Sequence, residues 1–266
     1  MKATIIARGG SVRFPRKNLQ KVCGKTLVEW AILQCKCSHY IDEVIMGTDD
    51  EEIGYISEEA GATIFWREKK HSDETAGPVY KRMLNWLKER DGKLPVSQLN
   101  ILPTHILKMP ADIDNLIRQY CKMREDGMDN WTLGPLCNLK ECDLTQKLEQ
   151  HDGYAVGQTI IWDKGYGYYY GCGGWSVNDV ERYIKYVDEM PQNDTVIDAM
   201  FAEQCKRRET PMTYIYSMPE WQHYEVDVPS DLKIVEALFK YYIGGEDPYL
   251  TYKARKIEPL NSRFNK

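Results

Sequence analysis

The feature that most constrains the fold is the alternation of short apolar runs with amphipathic segments along the first half of the chain. Strand-like runs stand at residues 3–7, 43–48, 62–66 and 99–102, and segments with helical spacing separate and follow them. This pattern predicts a three-layer α/β/α domain with a mostly parallel sheet. In such domains, ligands bind beyond the carboxyl ends of the strands.

A polar loop at residues 7–18, with the sequence ARGGSVRFPRKN, follows the first predicted strand. Its two glycines, Gly9 and Gly10, allow backbone amides to approach an anion closely. The cationic residues of the loop are Arg8, Arg13, Arg16 and Lys17. The glycine spacing matches neither the Walker A motif nor GxGxxG, which argues against a P-loop ATPase or an NAD enzyme. The loop therefore predicts a different kind of phosphate site.

Charge and hydropathy exclude several classes of protein. The 35 basic and 40 acidic residues give a net charge of -5, so there is no overall positive field to hold a nucleic acid. No stretch approaches the roughly 18 apolar residues that span a bilayer, and the N-terminus enters a strand-like run and does not read as a signal peptide. We therefore expect a cytoplasmic protein that binds neither membranes nor nucleic acid.

The loop and the turn after it resemble the opening of the acylneuraminate cytidylyltransferase (CMP-sialic acid synthetase) family. That opening reads A-R-G-G-S-K, a short gap, P-x-K-N and a G-K turn. The matching residues are Arg8, Gly9, Gly10, Ser11, Pro15, Lys17, Asn18, Gly24 and Lys25. The resemblance implies that the loop wraps the triphosphate of CTP, with Arg8, Ser11, Lys17 and Asn18 as contacts. Val12 replaces a family lysine, and whether Arg13 supplies that charge stays open.

Two further segments of the first half resemble the same family. VIMGTDDEEI is similar to its second strand, which ends in S-T-D, so Thr48 and Asp49 take the matching positions. FWREKKHSDETAG is similar to a segment in which an arginine precedes S-D-x-A. The resemblance implies that Arg67 and Ser72 lie near the nucleotide. The alternative for Arg67 is a surface arginine paired with an acidic neighbour.

The segment NILPTHILKMPADI resembles the family's L-Q-P-T-S-P-L-R-x-x-x-D-I, which borders the sugar pocket. By that resemblance, Thr104, His105 and Lys108 are the predicted sugar-binding residues. This segment departs from the family most, because Leu102 replaces a glutamine, His105 a serine, Ile106 a proline and Lys108 an arginine. The transferred sugar therefore need not be N-acetylneuraminate.

The segment HYEVDVPSDL resembles the family's D-I-D-T-x-x-D-L, and Glu225 and Asp227 match its metal-binding carboxylates. Alternation along a strand would place both side chains on one face, where they could reach one Mg²⁺. The alternative is two acidic residues on the solvated face of an edge strand. Asp231 is predicted to lie near the cap of the following helix.

We divide the chain into four predicted segments. Residues 1–130 form a nucleotide-binding α/β half, and residues 131–175 a β-rich insertion that supplies the sugar site or a dimer contact. Residues 176–242 complete the α/β domain, with helices at 177–188, 195–208 and 230–242 and a strand at 212–216. Residues 243–266 form an irregular C-terminal arm.

The resemblance implies the nucleotide-diphospho-sugar transferase (Rossmann-like) fold and a homodimer. It also implies transfer of CMP from CTP to a sialic-acid-like sugar acid, with pyrophosphate released and with Arg8, Lys17, Asp227 and Mg²⁺ as the catalytic groups. Two alternatives remain at this point. One is a nucleotidyltransferase for another acceptor, such as a Kdo-like acid or a sugar phosphate. The other is a catalytically degenerate nucleotide-binding protein of the same fold.

Overall fold

The structure is a computed structural model that describes residues 1–11, 13–71, 74–127, 132–137, 147–151, 154–159, 168–169, 175–189 and 213–266. The strands are β1 (Lys2–Ala7), β2 (Lys21–Val22), β3 (Lys25–Thr26), β4 (Glu43–Thr48), β5 (Thr63–Trp66), β6 (Ser97–Ile101), β7 (Thr132–Cys137), β8 (Lys147–His151), β9 (Tyr154–Thr159), β10 (Tyr168–Tyr169), β11 (Trp175–Asp179) and β12 (Thr213–Met218). The helices are α1 (Leu27–Cys37), α2 (Glu51–Glu59), α3 (Ala76–Asp91), α4 (Pro110–Glu125), α5 (Val180–Glu189), α6 (Pro229–Tyr242) and α7 (Asp247–Lys253). The helix predicted at residues 195–208 lies outside the described residues.

Ten of the described strands form one sheet in the order β10-β8-β9-β12-β7-β11-β6-β1-β4-β5. Strand β1 pairs in parallel with β4 and β6, and β4 pairs in parallel with β5. The carboxyl ends of these four strands therefore meet at one edge, where the predicted phosphate loop begins. The short strands β2 and β3 form a separate hairpin after that loop.

Helices cover both faces of the sheet, which confirms the predicted three-layer α/β/α architecture. On one face, Ile5 of β1 packs in a core with residues of α1 and α4, such as Ile32 and Ile117. On the other face, Ile45 of β4 packs with residues of α3 and α5, such as Leu84. Among the helices that the structure describes, none is both long enough and apolar enough to cross a membrane.

Local sequence signals explain where the first helices begin. The Thr26 hydroxyl accepts a hydrogen bond from the Glu29 amide at 3.2 Å, and the Glu29 carboxylate accepts one from the Thr26 amide at 2.7 Å. This reciprocal capping box makes Thr26 the N-cap of α1. Asp50 caps α2 by accepting from the Ile53 amide at 3.0 Å.

The helix predicted at residues 177–188 begins later than expected, because the chain first forms strand β11. Trp175 and Val177 are both buried, and β11 pairs antiparallel with β6, with Val177 opposite Leu99. Pairing with β6 thus overrides the local helical pattern until Val180, where α5 starts.

The tail after Gly244 is not the irregular arm that the sequence suggested. It contains α7, and its Tyr249 and Phe264 side chains are buried. Its anchor is Asp114 of α4, which is fully buried and accepts hydrogen bonds from the His39 amide at 3.0 Å and the Tyr252 hydroxyl at 2.8 Å. The tail is therefore part of the folded domain.

We expect Tyr252→Phe to lower the free energy of unfolding by about 1.5 kcal/mol, because it removes a hydrogen bond to a buried carboxylate. Urea denaturation followed by circular dichroism measures this difference. Tyr241→Phe is the matched control, because Tyr241 is 82% exposed and its loss should change stability by less than about 0.5 kcal/mol. Equal midpoints for the two variants would contradict the anchoring role of Tyr252.

Candidate functional site

A pocket of about 470 Å³ opens at the edge where the carboxyl ends of the parallel strands meet. Ala7 ends β1, Arg67 follows β5, and Leu102 follows β6. The pocket is lined by Ile6, Ala7, Arg8, Ser11, Arg13, Phe14, Lys17, Asn18, Arg67, Glu74, Leu102, Pro103, Thr104, Glu225 and Asp227. Residues far apart in the sequence but predicted to act together are thus brought to one place.

Acidic residues just before α2 and in its first turn hold the polar loop that follows β1. The Gly9 amide donates to the Asp49 carboxylate at 3.1 Å, and a Cβ atom at Gly9 would lie 2.3 Å from an oxygen of Asp50. Arg16 has a left-handed backbone (φ 56°) and forms ion pairs with Asp50 and Glu52. A side chain at position 9 would therefore displace the Asp50 carboxylate, and Arg16 serves as an anchor of the loop.

The predicted nucleotide contacts Thr48 and Asp49 take supporting positions. Thr48 is fully buried, and its hydroxyl accepts from the Asp50 amide at 3.2 Å. Asp49 accepts from Gly9, and neither residue is among those that line the pocket. Their role in this structure is to hold the loop, because their oxygens already bind its backbone and that of α2.

Four cationic side chains line the pocket. The Lys17 ammonium lies 2.7 Å from a carboxylate oxygen of Asp227. Arg67 is 9% exposed and donates to the His71 carbonyl at 2.7 Å. Burial lowers the pKa of Arg67, and the charges of Asp49 and Glu74 oppose that effect. Since free guanidinium has a pKa above 12, Arg67 keeps its charge. The remaining pair is Arg8 and Arg13.

Asn18 supports the loop from within. Its side chain is buried and donates to the Arg8 carbonyl at 3.1 Å. The amide group fixes the start of the loop relative to its end, ten residues further on. Ser11 lines the pocket, as predicted, whereas Ser72 lies outside the described residues.

Glu225 and Asp227 lie in an extended segment between the 3-10 helix Glu220–His223 and α6, not in the predicted strand. The Val226 amide donates to the Thr104 carbonyl at 3.0 Å, and the Val226 side chain is buried. The residues on either side of it therefore both face the pocket, as alternation predicted. Glu225 accepts from the Thr104 hydroxyl at 3.1 Å. The backbone hydrogen bond to Thr104 thus stands where the sequence suggested sheet pairing.

Asp231 caps the helix that follows, as predicted. Its carboxylate accepts from the amides of Asp227 and Val228, both at 2.9 Å. The backbone of Asp227 is thus fixed by the first turn of α6, independently of its own side chain.

The two pocket carboxylates fit a cation that arrives with phosphate. Among the residues that the structure describes, there is no group of three or more His, Cys, Asp or Glu side chains arranged to hold a metal ion. Mg²⁺ at phosphate sites typically uses one or two carboxylates, and phosphate oxygens and water complete its shell. Glu225 and Asp227 could supply that pair.

The structure does not support His105 and Lys108 as sugar-binding residues. Both side chains are fully buried and neither lines the pocket. The His105 ring contacts the Gln222 carbonyl, and the Lys108 ammonium donates to the His105 carbonyl. Burial lowers the pKa of His105 to about 3, so the ring is neutral. Of the three predicted sugar contacts, Thr104 alone lines the pocket.

Glu74 lines the pocket but was not predicted. Its carboxylate accepts from the Arg82 guanidinium at 2.6 and 3.1 Å and lies 2.7 Å from the His71 ring. No sequence signal pointed to it, because Glu74 lies between Asp73 and Ala76, where the S-D-x-A pattern specifies no residue type. Glu74 reaches the pocket because the fold places the segment just before α3 beside the phosphate loop.

Comparisons with known proteins match the part of the chain that contains the phosphate loop. Residues 3–141, just over half of the chain, match the model of a family described as cytidylyltransferase. The matched region contains the phosphate loop and the strands β1, β4, β5 and β6.

Two relatives extend the comparison. Over 244 residues, the chain is 26% identical to the post-translational flagellin modification protein B of Campylobacter coli, a match that covers 89% of this chain and 94% of that protein. Over 73 residues it is 44% identical to the pseudaminic acid cytidylyltransferase of Campylobacter jejuni, which covers 27% of this chain and 32% of that protein.

A solved structure shares the fold. The CTP complex of a CMP:2-keto-3-deoxy-manno-octonic acid synthetase aligns with a TM-score of 0.67 at 16% identity, and the match covers 91% of this chain and 98% of that one. At this identity the likeness supports the architecture of the domain.

Proposed function

The chain belongs to the cytidylyltransferase family, and on that premise we propose that it transfers CMP from CTP to a sialic-acid-like sugar acid and releases pyrophosphate. The observation that carries the proposal is the pocket in which the cationic loop faces the carboxylates of Glu225 and Asp227. The name of the pseudaminic acid relative supports the class of acceptor.

The cationic side of the pocket would hold the triphosphate. Arg8, Arg13 and Lys17 surround the space next to the loop, where they can offset the charge that grows on the departing pyrophosphate. Such groups accelerate the reaction because they are already oriented before the charge develops. Ser11 adds a neutral donor beside them.

The carboxylate side would hold Mg²⁺ through Glu225 and Asp227. A bound Mg²⁺ neutralises phosphate charge and lowers the pKa of an adjacent hydroxyl. The Thr104 hydroxyl donates to Glu225 and so fixes one of the two carboxylates. The Lys17 ammonium forms an ion pair with Asp227. Substrate binding would therefore move this ammonium to the phosphates and leave the Asp227 carboxylate for the cation.

In the proposed reaction, the hydroxyl on the anomeric carbon of the sugar acid attacks the α-phosphorus of CTP. A new oxygen–phosphorus bond forms, the bond to the bridging oxygen of the β-phosphate breaks, and the proton of the hydroxyl passes to water. The protein contributes mainly by positioning the reactants and stabilising charge. Neither His105, which is buried, nor His223 is assigned a proton-transfer role.

The proposal also includes a cytoplasmic location, where CTP would be available to the reaction. It includes a homodimer as well. Sedimentation equilibrium at micromolar concentration tests the second point, and a single 31.0 kDa species would contradict it.

We expect pyrophosphate release with Mg²⁺, CTP and a nine-carbon sugar acid, and none with ATP, GTP or UTP. The assay combines each of the four nucleoside triphosphates with N-acetylneuraminate, pseudaminic acid, other nonulosonic acids, Kdo and sugar 1-phosphates. The family premise predicts dependence on CTP, and the acceptor panel tests the proposed sugar class.

Each outcome of this assay has a distinct meaning. Turnover with Kdo or a sugar phosphate, but with no nonulosonic acid, would contradict the proposed acceptor. Turnover with UTP or ATP at the rate of CTP would contradict cytidylyl specificity. CTP binding without pyrophosphate release for any acceptor in the panel would favour a nucleotide-binding protein that has lost catalysis.

A further inference from the structure

The residues that line the pocket divide into three groups along the edge of the sheet. Thr104, Glu225 and Asp227 lie on the β6 side. The phosphate loop follows β1, which stands between β6 and β4. Arg67 and Glu74 lie on the β4–β5 side. The function proposed above uses the first two groups. The third contains the carboxylate that neither the sequence pattern nor the proposed reaction explains.

We propose that Glu74 selects the base of the nucleotide, with its carboxylate accepting a hydrogen bond from the exocyclic amine of cytosine beside the guanidinium of Arg67. This inference rests on the proposed function, because it takes CTP as the nucleotide. It assigns to Glu74 a part in specificity and none in bond making.

The order of the strands indicates that the base lies on the β4–β5 side of the pocket. The α-phosphorus of CTP joins the pyrophosphate, the nucleoside and the incoming acceptor. With the pyrophosphate on the loop after β1 and the acceptor beside Glu225 and Asp227 near β6, the remaining direction is toward β4 and β5. Arg67 and Glu74 line the pocket on that side.

The hydrogen-bonding groups there match cytosine and oppose uracil. An ionised carboxylate only accepts hydrogen bonds, and a guanidinium only donates them. Cytosine presents an amine donor next to the ring nitrogen and carbonyl acceptors, so it can bond to Glu74 and Arg67 together. Uracil carries a carbonyl oxygen in place of the amine, which would face the Glu74 carboxylate as a second acceptor.

Glu74 is held in the state that this role needs. The hydrogen bonds and charge of Arg82 keep the pKa of Glu74 below its usual range, so the carboxylate is ionised. Arg82 binds both oxygens, and His71 contacts one of them. Because a carboxylate has about four lone-pair positions, capacity remains for one donor from the base. Arg67 donates to the His71 carbonyl, which ties both recognition groups to one segment.

We expect Glu74→Gln to reduce the preference for CTP over UTP at least about tenfold, measured as the ratio of their Kd values by calorimetry with Mg²⁺. The ratio is informative because both nucleotides carry the same triphosphate, so the general effect of removing a negative charge cancels. Glutamine can also donate to the uracil carbonyl, which adds to the change.

Glu68→Gln is the matched control, because Glu68 lies in the same segment, is 67% exposed and pairs with Lys70. Its CTP/UTP ratio should equal that of the wild type. A second test uses the wild-type protein, so that a folding defect in the variant cannot affect it. CTP with two methyl groups on the exocyclic amine should bind to it at least about tenfold more weakly than CTP.

A CTP preference that survives Glu74→Gln would overturn the role of Glu74, and so would tight binding of the dimethylated nucleotide. A wild-type protein without preference between CTP and UTP would overturn it as well. A protein that prefers CTP through Glu74 but uses no sugar acid would instead contradict the proposed acceptor, so the two failures are distinguishable.

Discussion

Replacing Asp227 with alanine should leave a folded protein whose turnover falls at least about 100-fold. Asp227 is one of the two carboxylates that face the phosphate loop across the pocket, and its loss would leave Glu225 alone to hold Mg²⁺ beside the α-phosphate. The fold should survive because the side chain is half-exposed and the Asp227 amide is held by Asp231. Pyrophosphate release at saturating CTP and acceptor measures the effect.

Glu220→Gln provides the control for this experiment. Glu220 is an exposed carboxylate in the 3-10 helix just before the site, and its replacement should change turnover less than twofold. The Asp227 variant should also need a higher Mg²⁺ concentration to reach half of its maximal rate. Turnover near that of the wild type would remove Asp227 from the proposed cation site.

Lys17 and Asp227 form an ion pair that the proposed reaction would break. The Lys17 ammonium lies 2.7 Å from the Asp227 carboxylate, and in the proposed complex with Mg²⁺ and CTP each would have a partner of opposite charge on the ligand. Partly exposed ion pairs contribute only about 0.2–1 kcal/mol, so breaking this one costs little compared with the new contacts. The pair would therefore offer little resistance to substrate binding.

The sequence predicted the parts of the fold that local patterns determine. The strand predicted at residues 43–48 follows from short-range periodicity and is confirmed. The Thr26 capping box and the proline at the start of α4 are local helix-end signals of the same kind. The phosphate loop was found for the same reason, because its glycines and cations are contiguous.

What the sequence missed depends on packing between distant segments. His105 and Lys108 align with a sugar-binding pattern, but burial against the segment around Gln222 turns both side chains inward. The tail after Gly244 has a weak local pattern, yet Asp114 fixes it through Tyr252, 138 positions away. Periodicity within one segment contains no information about such partners.

Glu74 differs from these residues, because both its position and its proposed role in nucleotide selection went unpredicted. A family pattern identifies positions that keep one residue type, and Glu74 stands at a position where the pattern is silent. Its proposed role depends on Arg67, which lines the same pocket, and on Arg82, which binds its carboxylate.

Replacing Lys17 with methionine should lower turnover at least about 100-fold with little change in stability, because it removes a preoriented cation beside the leaving pyrophosphate. The Lys17 backbone remains bonded to Phe14, and methionine keeps most of the side-chain volume. Lys21→Met, at an exposed lysine four residues away, should retain wild-type turnover. Lys17→Met combined with Asp227→Ala decides how Lys17 acts: direct phosphate contact predicts a further fall below Asp227→Ala alone, whereas a lysine that only positions Asp227 predicts none.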